Sequence, residues 1–162
     1  MLPEKTINAL RWITDILNNK NIQYQVSGGL AAKIYGSQRE LNDIDIEIPE
    51  EGFDDIAEDI KPFIADELKH HKNGKWDSLC LSLNYEGQEI DISGAYTCKV
   101  SNQERTGWID VPADFSKIEK IKIGEMEVNV IGPQNLIDYK QHLDGDHQLE
   151  DIEAAKKYIA EK

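Results

Sequence analysis

Apolar residues at Ile7, Leu10, Ile13 and Leu17 recur at helical spacing and stop at Asn18-Asn19, which predicts a helix over residues 4–19. Residues 22–27 read as a short strand. The pair Gly28-Gly29 then opens a short helix through Tyr35, with Gly36 as its terminator. From Asp43 to Ile48 acidic and apolar residues alternate strictly, the period of a strand with one buried face, and Pro49 ends it. Phe53, Ile56, Ile60 and Ile64 form a further helical stripe. Residues 79–85 and 88–92 predict a hairpin turning at Glu86-Gly87. Residues 94–117 show no clear period. A second hairpin follows, with Ile121, Ile123, Val128 and Val130 as strand residues and Gly124-Glu125 near its turn. Pro133 suits a helix start, and Leu136, Ile137 and Lys140 belong to that helix. Asp144-Gly145-Asp146 precedes a last helix with Leu149, Ile152 and Ile159 on one side. This order predicts an α/β (α+β) fold: a mixed β-sheet, helices packed on one face, and a short helical C-terminal end.

A length of 162 residues suits one domain, with an α/β core over 1–131 and C-terminal helices over 132–162. The start lacks a basic region followed by an apolar stretch, and no apolar run approaches the ~20 residues that span a bilayer. A soluble, cytoplasmic protein without a membrane partner is expected. Cys80 and Cys98 lack Cys-x-x-Cys spacing and read as buried reduced thiols. The formal net charge of −13 disfavours nucleic acid and suits a cationic small-molecule acceptor or a basic protein partner.

Candidate chemistry gathers on two strands. Asp43, Asp45 and Glu47 share the polar face of one strand, where like charges ~7 Å apart repel and call for a cation. Glu89-Ile90-Asp91-Ile92 repeats the pattern. If the two strands are neighbours, Asp91 completes a three-carboxylate cage for a divalent ion. Gly28-Gly29 is either a phosphate-binding helix start or a plain strand-to-helix turn. Arg39 either pairs with the nearby acids or contacts a nucleotide phosphate. Lys140 reads by position as a surface lysine, and His70, His71 and His142, without ligand spacing, as surface histidines. Trp76 and Trp108 fit a core or a pocket wall equally.

The run Gly28-Gly29, a short helix, Arg39-x-x-x-Asp43-Ile44-Asp45 and a single Asp91 on a later strand resembles the polymerase-β-type nucleotidyltransferase superfamily. In style it is similar to small bacterial aminoglycoside and lincosamide nucleotidyltransferases. The ending resembles them too: Pro133-x-x-Leu136-Ile137-x-Tyr139-Lys140, then Leu149-Glu150-Asp151-Ile152. The resemblance covers residues 24–48, 87–93 and 130–155. It implies the nucleotidyltransferase fold, with Asp43 and Asp45 holding two Mg²⁺ (or Mn²⁺) ions and Asp91 joining them and activating the acceptor. It implies that Ser27, Gly28 and Gly29, with Arg39 and Lys140, bind a nucleoside triphosphate such as ATP, and that an acceptor hydroxyl attacks its α-phosphorus to release pyrophosphate. Where such proteins often carry further basic residues, this chain has Asp144-Gly145-Asp146-His147. That departure favours a second reading: a non-catalytic interaction module of the same fold, one partner of a two-protein regulatory pair. Intact Asp43, Asp45 and Asp91 favour the enzyme.

Overall fold

The computed structural model describes residues 2–162. Helix α1 (Glu4–Asn19) and strand β1 (Gln25–Ser27) lead into α2 (Gly28–Ile34), after which the chain turns at Gly36, φ +122. Next come β2 (Asp43–Ile48), α3 (Gly52–Ile60), β3 (Ile64–Lys72), β4 (Trp76–Tyr85) and β5 (Gln88–Gly94). Short strands β6 (Lys99–Ser101) and β7 (Trp108–Asp110) precede the hairpin of β8 (Glu119–Ile123) and β9 (Met126–Val130). Helices α4 (Pro133–Lys140) and α5 (Asp146–Ala160) complete the chain.

The strands form one mixed sheet in the order β7-β6-β4-β5-β2-β1-β9-β8, with β3 on the outer side of β4. The pairs β2/β5 and β1/β9 are parallel and the rest antiparallel. Strand alternation splits the sheet into two chemistries. Val26, Ile44, Ile46, Leu81, Leu83, Ile90 and Ile92 enter one apolar core with residues from all five helices, among them Leu10, Leu30, Ile56, Leu136 and Ile152. The other face carries polar rows across the strands. The register aligns Ser27, Asp45, Asp91 and Ser82 in one row and Gln25, Glu47, Ser93 and Cys80 in the next.

Several elements depart from the sequence reading. The stripe through Ile64 is broken: α3 ends at Ile60, a 3-10 turn carries Pro62, and Ile64 begins β3. Proline removes the backbone donor that would extend the helix. The β3 strand was not anticipated because it is an exposed edge. Its charged side chains and two register irregularities leave no apolar alternation to read. The first strand covers only 25–27 of the expected 22–27. The aperiodic stretch 94–117 contains β6 and β7. On α5, Ile152 is buried, but Leu149 is 63% and Ile159 38% exposed. No helix among the described residues is long and apolar enough to cross a membrane.

Candidate active site

A cavity of about 770 Å³ opens over the polar face of the sheet, within the size range of small-molecule sites. Its floor is the acid row. Asp43 and Asp45 project from β2 because their neighbours Ile44 and Ile46 occupy the core face, and Asp91 lies directly across the parallel ladder from Asp45. One ligand atom from each of Asp43, Asp45 and Asp91 lies within 4.8 Å of the others. The in-register β2/β5 pairing is what brings these three acids together. Ser82 Oγ donates to Asp91 Oδ1 at 2.6 Å.

No basic side chain pairs directly with these carboxylates among the described residues. Burial, then Asp91 and Glu89, push the Asp43 pKa up to about 6. Burial, Asp43 and Asp91 raise Asp45 well above the carboxylate range, with Lys140 acting against them. Burial also lifts Glu47 to about 7, although hydrogen bonds from Gln25 and Ser27 pull it down. Three half-buried carboxylates that repel one another are the donor set a hard divalent cation takes, since such ions prefer oxygen ligands. The residues thus fit Mg²⁺ or Mn²⁺.

The glycine pair adjoins this row. Gly28 has φ +61, and a Cβ there would collide with Asp45 Oδ2. Only a bare backbone lets the turn sit against that carboxylate. The Gly28 N–H donates to Tyr139 Oη at 2.8 Å. Burial first, then Asp45 and Glu47, hold the Tyr139 phenol well above its ordinary pKa, so it stays neutral. At Gly29 a Cβ would meet Arg39 Nη2 at 3.4 Å and Leu41 Cδ1 at 3.9 Å, close to ordinary contact.

Arg39, in the loop between α2 and β2, pairs with none of the acids on β2. Its Nε and Nη2 grip Asp151 of α5 at 2.9 and 2.5 Å. Asp151 has no exposed surface, and it also accepts from Ser37 Oγ at 2.8 Å and pairs with Lys140 Nζ at 3.1 Å. Burial would raise Asp151, but Arg39, Lys140 and Ser37 together hold it below the usual carboxylate range. Lys140 is not a surface lysine: it is 4% exposed and donates to Gln148 Oε1 at 2.9 Å. Its pKa is lowered by burial against the pull of Asp151. Ser27, Gly28, Gly29, Arg39 and Lys140 all line the cavity with the three acids.

The far wall comes from β4 and the β6–β7 region. Trp76 lines the cavity and tilts toward Tyr139 with ring centroids 6.2 Å apart, whereas Trp108 is exposed with Lys72 Nζ 5.5 Å above its ring. His71 and His142 are half-buried in the cavity wall rather than on the open surface; His70 is exposed beside Asp77. None of them joins a group that could hold a metal among the described residues. Cys98 is buried and Cys80 half-buried, both as free thiols pushed up by burial to about 12 and about 11. Sequence reasoning missed Tyr139, Ser82 and Asp151 as parts of the site. No local signal marked Asp151: its burial with Ile152 and Ala155 on α5 emerges only from the packing.

Solved structures share this fold. A candidate nucleotidyltransferase from Thermotoga maritima is 24% identical with a TM-score of 0.74, covering 100% of this chain and 97% of that one. The lincosamide antibiotic adenylyltransferase LnuA, solved with lincomycin bound, is 15% identical with a TM-score of 0.63, over 93% and 96% of the two chains. ANT(2'')-Ia, solved with adenylyl-2''-tobramycin, is 14% identical with a TM-score of 0.64, over 96% and 91%. No curated protein matches this chain. The family model described as aminoglycoside-2''-adenylyltransferase matches residues 9–155, and with that span inside this fold the chain belongs to that nucleotidyltransferase family.

Proposed function

We propose that the protein transfers a nucleoside monophosphate from a nucleoside triphosphate to a hydroxyl of a small, polar acceptor. The observation that carries this reading is the convergence of Asp43, Asp45 and Asp91 in one cavity, with no direct basic partner among the described residues. Asp43, Asp45 and Asp91 would hold two Mg²⁺ (or Mn²⁺) ions, which supply charge neutralisation of the triphosphate and a lowered acceptor pKa. The glycine corner at Ser27, Gly28 and Gly29 and the cations Arg39 and Lys140 orient the triphosphate. Asp91 takes up the acceptor proton, and the Ser82 hydrogen bond fixes its carboxylate. In the balanced step a bond forms from the acceptor oxygen to the α-phosphorus. The bond from that phosphorus to the bridging oxygen breaks, and pyrophosphate leaves.

The acceptor side is formed by Trp76, Ser78 and the acids Asp110 and Asp114, with Glu47 deeper in the cavity. An aromatic plane among carboxylates suits a hydroxylated, amine-bearing acceptor. Family membership supports the aminoglycoside class and, by fold, the lincosamides. The test is incubation with labelled ATP, Mg²⁺ and a panel of aminoglycosides and lincosamides. Labelled product with the parent chain and none with Asp45→Asn is the expected result. No product from any acceptor, with ATP bound, would move the reading to a non-catalytic interaction module.

A further inference from the structure

The glycine corner and helix α4 meet at a single hydrogen bond, from the Gly28 N–H to Tyr139 Oη at 2.8 Å. A backbone N–H has one proton, and here the phenol takes it. The corner is seated against Asp45 on its other side, with φ +61 at Gly28, so it has little freedom to turn that N–H elsewhere. Tyr139 Oη accepts this bond, yet its own proton meets no hydrogen-bond acceptor among the described residues. The ring is half-buried and lines the cavity beside Gly28 and Asp45. A hydroxyl that already accepts a hydrogen bond is polarised into a better donor.

We propose that the Tyr139 O–H, and not the Gly28 N–H, is the donor that this corner offers to an oxygen of the triphosphate. The proposal rests on the nucleotidyl-transfer reading above. Gly28 then serves to orient the phenol, and the need for glycine there comes from Asp45. The corner gains a side-chain donor on α4, the helix that also carries Lys140. Triphosphate contacts from Tyr139 and Lys140 would thus come from adjacent residues of one helix.

The test compares the parent with Tyr139→Phe by calorimetry, using Mg²⁺ with the α,β-methylene analogue of ATP, and adenosine as the phosphate-free control. The expected result is a Kd for the analogue raised roughly 10-fold or more, the effect of losing a hydrogen bond to a charged group, with adenosine binding unchanged. Equal or tighter binding of the analogue by Tyr139→Phe overturns the proposal, because the freed Gly28 N–H would then be the donor. An equal loss for adenosine also overturns it, since ring packing alone would explain that. A second measurement needs only the parent: the Gly28 amide resonance should stay in place and protected from exchange when the analogue binds. A large downfield shift of that amide would mean direct phosphate contact and sink the idea. A parent that binds no analogue overturns the nucleotidyl-transfer reading itself, and this proposal with it.

Discussion

Asp151 lies buried behind the Arg39 and Lys140 that line the cavity, Asp43, Asp45 and Asp91 line it themselves, and these two groups of acids are balanced in opposite ways. Asp151 has no exposed surface, yet Arg39, Lys140 and Ser37 surround it and its pKa is held down. Asp43, Asp45 and Asp91 have no cationic partner among the described residues, and the pKa values of Asp43 and Asp45 are driven up. The first group has its charge satisfied inside the protein and ties α5 to α4 and to the loop after α2. The second is left in deficit, which a chain tolerates where something outside it supplies the missing charge. Under the proposed nucleotidyl transfer, the contrast separates an acid that serves packing from acids that call for a cation, without reference to any relative.

The sharpest way to break that contrast is to remove one acid from each group. Asp91→Ala should lower turnover by on the order of 10²- to 10⁴-fold, the usual contribution of a positioned proton acceptor, while the urea midpoint stays near that of the parent. A large fall in the midpoint with turnover retained would make the acid row a scaffold. Asp151→Ala should do the reverse in kind. It strands Arg39 and Lys140 near low-dielectric surroundings, and breaking a buried pair by removing one partner costs about 3–5 kcal/mol. Urea unfolding reads this directly, and a loss under 1 kcal/mol would show that the cations find other partners.

Legibility from sequence follows the same division. Asp43 and Asp45 were readable because a strand's period of two sorts side chains by face without knowledge of the rest of the fold. Asp91 needed one further fact, that its strand is the neighbour of β2, and the repeated acidic-apolar pattern hinted at it. Asp151 was hidden. It stands between Glu150 and Ile152 in an acidic helix, and only tertiary packing reveals which acid meets Arg39. Lys140 was misread for the same reason, since nothing local marks a lysine as buried. The β3 strand was hidden by its own charged edge, and Leu149 misled because an apolar residue near a helix start need not face the core. Periodicity reports a residue's face; long-range pairing it leaves to the fold.

The deficit in the acid row also has a thermodynamic sign. Asp43 titrates at about 6 in the folded protein against an ordinary 3.8. The folded state therefore binds the proton more tightly than the unfolded chain. The resulting stability is fully present below pH 3.8 and is lost as pH rises through about 6. At pH 7 and without metal, Asp43→Asn should unfold at a higher urea concentration, by about 1–2 kcal/mol once the half-exposed position is discounted. The advantage should shrink below pH 4 and shrink again when Mg²⁺ and nucleotide are added to the parent. A parent as stable as the variant at pH 7 would mean that its acids are already compensated.

The smallest effect tests how far the constraint extends along the glycine pair. Gly28 is fixed by its positive φ and by Asp45, so a Cβ there meets the acid row itself. Gly29, one residue on, has its nearest neighbours at 3.4 and 3.9 Å, the guanidinium of Arg39 and the end of Leu41. Both are side-chain atoms, and Arg39 is held through Asp151, not through Gly29. Gly29→Ala should therefore fit with a shift of a few tenths of an ångström. Alanine also restricts the unfolded chain and favours the first turn of α2, so stability should change by less than about 1 kcal/mol, on the favourable side. Triphosphate affinity, read by calorimetry with Mg²⁺ and the methylene analogue of ATP, should stay within about threefold, under 1 kcal/mol. A loss of ten-fold or more would mean that phosphate approaches Gly29 closely enough to meet a methyl group. Gly29→Val reaches further: its branched side chain should weaken the same binding by displacing Arg39, and the difference between the two variants measures the room between the glycine corner and the Arg39–Asp151 pair.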